Sequence, residues 1–190
     1  MTTNTGNPLG LVLAAAAFAA HKHKDQRRKD ASASPYINHP LALANVLSNE
    51  GGVQDPVVIC AALLHDTIED TDTTQEELTR HFGVEIASVV MEVTDDKALP
   101  KAERKRQQVE HAAHISERAK LVKLADKISN LRDILSSPPA DWSPQRKKEY
   151  FDWAALVVKQ LRGTHEHLEA VFEELHQEQK KFLPHCNTSE

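Results

Sequence analysis

The sequence has little of several features that mark other classes of protein. It contains two cysteines, Cys60 and Cys186, among 190 residues, and two cysteines in a chain of this size do not make a disulfide framework. Basic residues are not in excess, since 23 lysines and arginines stand against 28 aspartates and glutamates. A general nucleic-acid binder carries a basic surface. We therefore expect a protein of the reducing cytoplasm that does not bind nucleic acid.

A membrane or secretion signal is also lacking. The apolar stretch LGLVLAAAAFAA at residues 9–20 resembles a signal-peptide core, but the preceding MTTNTGNP has no lysine or arginine, and a signal peptide needs such residues. The stretch is too short to span a bilayer, which takes about 20 apolar residues. We predict a buried N-terminal helix and no membrane association.

Strand patterns are absent over any useful length. Alternation of apolar and polar residues, which indicates a half-buried strand, is not sustained, and we find no internal repeat or low-complexity segment. The sequence predicts an all-α, single-domain protein over residues 9–182, with flexible tails at residues 1–8 and 183–190. A short β-hairpin among residues 93–101 is compatible with the sequence.

Capping residues predict where several helices begin and end. Asp, Ser and Thr favour helix starts, proline favours the first turn, and glycine favours the end. The predicted starts are after Pro8, near Pro40, at Asp55-Pro56, at Thr73 or Thr74, and at Asp141 or Ser143. The predicted ends or interruptions are at Gly51-Gly52, Gly83 and Gly163.

Charged residues follow directly on the apolar run VVICAALL. They are His65, Asp66, Glu69 and Asp70, and buried charge is costly unless it is paired or bound to metal. If the helix continues, His65 and Glu69 lie one turn apart, as do Asp66 and Asp70. Carboxylates this close repel each other unless a cation lies among them. Histidine nitrogen with aspartate oxygen suits Mn, Fe, Co or Zn, and suits Ca poorly.

The segment around residue 126 predicts a helix with two distinct faces. Apolar residues at steps of three and four form a core stripe, made of Leu121, Leu124, Ile128, Leu131 and Leu135. A second, polar face has helical spacing too and consists of Val122, Asp126, Asn130 and Asp133. Asp126 and Asn130 must therefore point in the same direction.

Longer motifs carry a resemblance to a known family. A histidine, then His-Asp, then a distant Asp is similar to the HD superfamily of metal-dependent phosphohydrolases. The strings RRKD, PYINHP, AALLHDTIEDT, MEVTDD, LPKAERKR and KLVKLADKISNLRDI resemble the hydrolase domain of the RelA/SpoT group. The nearest branch is the small alarmone hydrolases, the metazoan SpoT homologues. The resemblance covers roughly residues 10–180.

The resemblance implies a fold, a reaction and a set of site residues. It implies an all-helical HD-type domain that removes the 3′-pyrophosphate of ppGpp or pppGpp with one bound metal, usually Mn²⁺. Its implied metal ligands are His39, His65, Asp66 and Asp126, and its implied catalytic acids are Glu69 and Asp70. Its implied nucleotide contacts are Arg28, Lys29 and Asn130, with weaker candidates at Tyr36, Lys101, Arg146 and Tyr150. NADPH is an implied side substrate.

Two other functions fit the same motifs. One is a general HD nucleotidase for ordinary mononucleotides, and the other is an inactive HD module that senses a nucleotide. The combination of RRKD with EDT favours the alarmone branch, and no ligand or acid of the motif is missing. The pairs His21/His23 and His165/His167 are predicted to be surface residues. Asp133 is predicted to tune the choice between alarmones, and the oligomeric state stays open.

Overall fold

The structure is a computed structural model that describes residues 7–182. Residues 1–6 of the predicted tail at residues 1–8 lie outside this range, as does the predicted tail at residues 183–190 with Cys186. The α-helices, numbered α1 to α10 in chain order, are Pro8–Lys22, Asn38–Asn45, Pro56–Leu64, Thr67–Asp70, Gln75–Phe82, Val84–Val93, Lys101–His111, Glu117–Ser136, Pro144–Lys159 and Glu166–Gln177. A π-helical turn, Val46–Glu50, extends α2, and a 3-10 turn, Glu178–Phe182, follows α10.

The all-α prediction is confirmed. The β-hairpin suggested for residues 93–101 is wrong, because α6 runs to Val93 and no strand forms anywhere between residues 7 and 182. The extended backbone pairs that do occur are isolated bridges, Arg27 with Pro35 and Asp30 with Pro139. They hold the connection between α1 and α2 rather than a sheet.

Side-chain caps define most of the predicted helix boundaries. Asp55 accepts a hydrogen bond from the Val57 amide at 2.9 Å, and Thr74 and Ser143 cap α5 and α9 in the same way. Asn7 caps α1 through the Gly10 amide at 3.0 Å. Helix α1 therefore begins at Pro8, one residue earlier than predicted, because proline suits the first helical position. The predicted glycine positions are confirmed where the backbone turns left-handed, with φ 87° at Gly83 and 86° at Gly163.

Helix α3 is the centre of the core. Seven of its residues, Val58–Leu64, are buried, and it packs against α1, α2, α6 and α8. The prediction that α1 is a buried helix is wrong, since Leu9 and Leu13 are 68% and 60% exposed. One face of α1 packs on α3 through Ala15 and Ala19, whose small side chains let the helices approach closely. Among residues 7–182, no helix combines the length and apolar character needed to cross a membrane.

Helix α8 has the two faces that its sequence predicts. Leu124, Ile128 and Leu131 are fully buried, while Leu121 and Leu135 are partly buried against the same core. The helix also buries two charged residues, Lys123 and Lys127, which the sequence did not single out.

A tie outside the core joins α8 to the turn that follows α2. Arg132 makes two hydrogen bonds to the Glu50 carboxylate, at 2.6 and 2.7 Å. Bidentate arginine–carboxylate pairs fix direction as well as distance. The pair therefore fixes the position of α8 relative to the end of α2.

The chain breaks its helix at the His65-Asp66 dipeptide. Helix α3 ends at Leu64 and α4 starts at Thr67, so the helix does not continue unbroken to Asp70. Asp66 has φ −97° and ψ −2°, and the Thr67 hydroxyl bonds the Leu64 carbonyl at 2.7 Å. The one-turn relation still holds for Asp70, whose amide donates to the Asp66 carbonyl at 2.8 Å.

Candidate metal centre and active-site cleft

Helices α2, α4, α6, α7, α8 and α9, with the segments that connect the helices, contribute side chains to one cleft of about 570 Å³. Most of the predicted site residues line it, namely Arg28, Lys29, Tyr36, His39, His65, Asp66, Glu69, Lys101, Asp126, Asn130, Arg146 and Tyr150. Asp70 lines an adjoining cavity of about 580 Å³, which shares Arg28, Tyr36, His39 and Asn130 with the cleft. The fold therefore gathers residues from separate parts of the chain into one place.

His39, His65 and Asp126 form the centre of the cleft. Their nearest ligand atoms lie within 4.8 Å of one another, as expected of groups that could hold a metal ion. The Asp126 Oδ1 atom is 3.3 Å from His39 Nε2 and 4.0 Å from His65 Nε2. Both histidines are buried, with 4% and 6% exposure. This is the arrangement of two nitrogens and an oxygen that transition metals favour.

The outer contacts of these histidines leave the inward nitrogens free to bind a cation. The Nδ1 atom of His65 donates to the Ala62 carbonyl at 2.8 Å, which leaves Nε2 as the nitrogen that faces Asp66 and Asp126. The Nδ1 atom of His39 lies 3.8 Å from Asp133 Oδ2. Metal-binding histidines typically hold their other nitrogen against a carbonyl or carboxylate. The residues present therefore fit a divalent cation.

Asp66 borders the same centre. Its Oδ2 atom is 3.0 Å from His65 Nε2 and accepts a hydrogen bond from the Tyr36 hydroxyl. Tyr36 was predicted to contact the nucleotide, and here it orients a predicted metal ligand.

Carboxylates dominate the electrostatics of the centre. Burial alone lowers the pKa of His65, but Asp66 and Asp126 raise it to about 9. Burial also works against the charge on Asp126, yet Lys127, His39 and His65 hold the pKa of Asp126 well below its usual range. The centre therefore favours positive charge between the histidines and the aspartates, which is what a metal cation supplies.

Glu69 and Asp70 lie beside the centre and have other partners. The Glu69 carboxylate accepts from the Asp95 amide at 3.3 Å and lies 3.7 Å from Arg104. Burial, followed by the charges of Asp66 and Asp95, raises the pKa of Glu69 to about 7. A carboxyl group with such a pKa is suited to proton transfer near neutral pH. Asp70 accepts from Gln26 at 2.8 Å and pairs with Lys97.

We call the group of His39, His65, Asp66 and Asp126 the acidic centre. A basic cluster lines the cleft near it. We define the basic cluster as Lys29, Lys101, Arg104, Lys105 and Arg146. Lys101, Arg104 and Lys105 follow helical spacing along α7 and so share one face. Burial and the neighbouring charge of Lys101 lower the pKa of Lys105 against the opposing charge of Glu149, as expected where cations lie close together.

Two predicted substrate residues are engaged with protein groups. Arg28 pairs with Asp133 and lies over the Tyr36 ring, 5.8 Å from its centroid. Asn130 donates to Asp126 Oδ1 at 2.6 Å. Asn130 therefore orients Asp126, and Arg28 is held beside Tyr36 by Asp133.

Sequence reasoning missed three residues that line the cleft, Trp142, Trp153 and Lys127. The two tryptophans flank the predicted Tyr150 at centroid distances of 5.7 and 5.2 Å. Lys127 bonds Asp126 at 2.8 Å and lies 4.5 Å from the Trp153 centroid. The spacing of Arg104 and Lys105 from Lys101 was a usable signal. The tryptophans gave none, because a core explains an aromatic residue equally well.

Of the four histidines predicted as surface residues, two are exposed and two are not. His21 and His167 are exposed, as predicted. The prediction is wrong for His23, which is 2% exposed and packs on the Tyr36 ring at 4.8 Å. It is also wrong for His165, which is half-buried because it caps α10 and donates to the Gly51 carbonyl at 2.9 Å.

Comparison with known proteins gives a consistent result. The family profile described as HD domain matches residues 15–170. A protein of Xenopus tropicalis is 59% identical over 169 residues, covering 89% of this chain and 94% of that protein. A human protein is 56% identical over 170 residues, covering 90% of this chain and 95% of that protein. Both are named guanosine-3′,5′-bis(diphosphate) 3′-pyrophosphohydrolase MESH1.

A solved structure agrees in fold. It superposes with a TM-score of 0.88 at 45% sequence identity and covers 94% of this chain and all of its own. Its description is a metazoan orthologue of SpoT that hydrolyses ppGpp and plays a role in starvation responses.

Proposed function

The chain belongs to the HD-domain family, and we propose that it removes the 3′-pyrophosphate of ppGpp and pppGpp to give GDP or GTP and pyrophosphate. The observation that carries this proposal is the buried His39, His65 and Asp126 group beside a basic cluster in one cleft. The names of the relatives support it, since proteins 56–59% identical over most of both chains are 3′-pyrophosphohydrolases.

The proposed metal ligands are His39, His65, Asp66 and Asp126, and the proposed metal is one Mn²⁺ per chain. When bound, such a cation polarises a phosphoryl oxygen and acidifies a water molecule. Tyr36 and Ala62 orient Asp66 and His65 through their hydrogen bonds. Lys127 and Asn130 do the same for Asp126. These outer contacts keep the ligand atoms in place before any ion arrives.

Glu69 and Asp70 are the proposed catalytic acids. In the reaction, the water oxygen bonds to the phosphorus, the bond from that phosphorus to O3′ breaks, and a proton reaches O3′. Glu69 is suited to accept the water proton, because its raised pKa makes it a stronger base than an exposed glutamate. Asp70, next to Glu69 in sequence, is proposed to orient the attacking water.

The substrate's anionic groups need local cations, because the chain has a net charge of −5. Arg28, Lys29, Lys101 and Arg146 are the proposed phosphate contacts, and Tyr36, Asn130 and Tyr150 the proposed contacts to the rest of the nucleotide. Arginine binds phosphate through two parallel bonds, and lysine acts as a point charge. A cytoplasmic location and a side activity on NADPH are further parts of the proposal.

The test is a parallel incubation of Mn²⁺-loaded protein with ppGpp, GTP and NADPH, with identification of products by chromatography. We expect GDP and pyrophosphate from ppGpp, no turnover of GTP, and slower phosphate release from NADPH. Turnover of GTP at the ppGpp rate would favour a general nucleotidase. Tight binding of ppGpp without products would favour an inactive sensor. A sample stripped with a chelator and then reloaded is the control for metal dependence.

A further inference from the structure

His23, Gln26 and Asp70 form a line of hydrogen-bonded side chains that leads away from the cleft. The Nδ1 atom of His23 lies 2.6 Å from Gln26 Oε1, and Gln26 Nε2 lies 2.8 Å from Asp70 Oδ2. His23 follows α1 and is 2% exposed. It does not line the cleft, so its burial is not explained by contact with a nucleotide there.

The donors and acceptors in this line have one consistent assignment. A carboxylate oxygen accepts hydrogen bonds, so Gln26 must turn its NH₂ group toward Asp70. Its carbonyl oxygen then faces His23, and His23 must donate from Nδ1. His23 Nε2 is buried and has no hydrogen-bond partner among residues 7–182. The contacts therefore specify the Nδ1–H tautomer of His23. They also specify that His23 donates to Gln26 and that Gln26 donates to Asp70.

The same segment also orients Asp66. The backbone carbonyl of Gln26 accepts a hydrogen bond from the backbone amide of Tyr36 at 3.1 Å, and the His23 ring packs on the Tyr36 ring. The Tyr36 hydroxyl then donates to Asp66. By contrast, Lys97, the other partner of Asp70, has a half-exposed side chain. The buried support for Asp70 therefore comes from His23 through Gln26.

We propose that His23 and Gln26 are positioning residues that fix the orientation of the Asp70 carboxylate beside the site of hydrolysis. This inference rests on the proposed function, in which Asp70 orients the attacking water. Hydrogen-bond partners that orient metal ligands typically change activity by roughly 10–100-fold when removed, and we expect an effect of the same order for the partners that orient Asp70. Because they act through Asp70, their loss lowers kcat and leaves substrate affinity nearly unchanged.

Two substitutions of His23 separate this role from simple packing. His23→Phe keeps a ring against Tyr36 but has no donor, and His23→Asn keeps an N–H near the Nδ1 position but has no ring. We expect His23→Phe to lower kcat for ppGpp roughly tenfold, with KM and bound metal unchanged, and His23→Asn to recover most of that loss. The reverse order, with Phe more active than Asn, would show packing and overturn the proposal. His21→Phe, at an exposed position two residues earlier, is the matched control and is expected to match the wild type.

Asp70→Asn supplies the reference that separates this inference from the proposed function. If Asp70→Asn keeps wild-type turnover, the proposed role of Asp70 fails. If it loses turnover, adding His23→Phe should cost nothing more, because the two residues act as one unit. A further tenfold loss in the double variant would overturn the positioning role.

One measurement is independent of activity. The ¹⁵N shifts of the His23 ring in the metal-loaded wild type report its tautomer. We expect the Nδ1–H form, and the Nε2–H form would overturn the line of hydrogen bonds even in a protein that hydrolyses no ppGpp.

Discussion

The acidic centre and the basic cluster share one cleft but differ in how their side chains are held. In the acidic centre, His65 donates a hydrogen bond to the Ala62 carbonyl, and Asp66 accepts one from the Tyr36 hydroxyl. Both histidines of the centre are buried. In the basic cluster, Lys29 and Lys101 are exposed. A cation site needs ligand atoms at fixed positions, whereas a lysine neutralises phosphate as a point charge on a flexible stem. The side chains of the acidic centre are therefore held by more contacts than the exposed lysines of the basic cluster.

The two regions also differ in what replaces a missing partner. Removing one charge from a buried pair leaves the other without compensation, which costs about 3–5 kcal/mol. Removing an exposed lysine leaves water to solvate the phosphate. Substitutions in the centre should therefore abolish function and metal binding together, while those in the basic cluster should weaken binding by degrees.

His65→Ala should have the largest effect and would test the centre directly. It removes one proposed ligand and leaves Asp66 and Asp126 without a partner they both contact. We expect loss of bound Mn²⁺ and of ppGpp hydrolysis in the same variant, measured by elemental analysis and turnover. His21→Ala is the control. If His65→Ala kept both its bound metal and its turnover, the expectation that substitutions in the acidic centre abolish metal binding and activity together would be contradicted.

Glu69→Gln should come next, with metal retained. We expect turnover to fall by on the order of 10²–10⁴, the usual contribution of a general acid–base group, because glutamine cannot accept the proton. Melting temperature and bound metal should be unchanged. Wild-type turnover in this variant would move the water-activating role to another group.

The pH profile sharpens the same point. A base with a raised pKa is protonated below that value, so kcat/KM should rise with pH and level off above it. The pKa of Glu69 is about 7 without a cation, and a bound cation opposes the carboxylates that raise it. We expect the rising limb at or below about pH 7 in the wild type and its absence in Glu69→Gln. An unchanged limb in the variant would assign it to another group.

The sequence predicted the acidic centre better than the basic cluster for a physical reason. Few residue types serve as metal ligands, and His39, His65 and Asp126 had to be explained by something other than solvation. Lysines and arginines on a helix such as α7 are usually solvated, so the spacing of Arg104 and Lys105 from Lys101 was a signal that only the fold distinguished from a solvated face. The burial of His23 depends on the packing of the chain after α1, which no local pattern specifies.

The fold shows the same limit. Caps act locally, so Asp55 was predicted at the correct residue and Thr74 as one of two adjacent alternatives. Whether the helix continued beyond His65-Asp66 stayed open, because nothing in the local sequence forbids a helix there. The exposure of Leu9 and Leu13 was missed, since apolar character alone does not say which face of α1 meets α3.

Lys29→Ala should have a moderate effect confined to binding. A hydrogen bond to a charged group contributes about 1.5–3 kcal/mol, so we expect KM for ppGpp to rise roughly tenfold while kcat and bound metal stay constant. High salt should raise KM for the wild type more than for the variant, because exposed charges are screened. Lys24→Ala, an exposed position in the same segment, is the control. If neutralising both Arg28 and Lys29 left KM unchanged, RRKD would be only a part of the connection between α1 and α2, and the general nucleotidase would gain support.

Glu50→Gln should have the smallest effect, on stability alone. The Glu50–Arg132 pair lies outside the cleft, yet it joins the helix that carries Asp126 to the turn that follows the helix of His39. Partly exposed ion pairs contribute about 0.2–1 kcal/mol, so we expect a small fall in the free energy of unfolding at pH 7 and unchanged turnover.

Arg132 lowers the pKa of Glu50 below its ordinary 4.5. A lowered carboxyl pKa stabilises the folded state above the unfolded value, and that stabilisation disappears as pH falls through the folded value. The wild type and variant should therefore differ in urea titrations at pH 7 and converge below about pH 4. A loss of turnover in Glu50→Gln would mean that the acidic centre depends on distant ties as well as on its own hydrogen bonds.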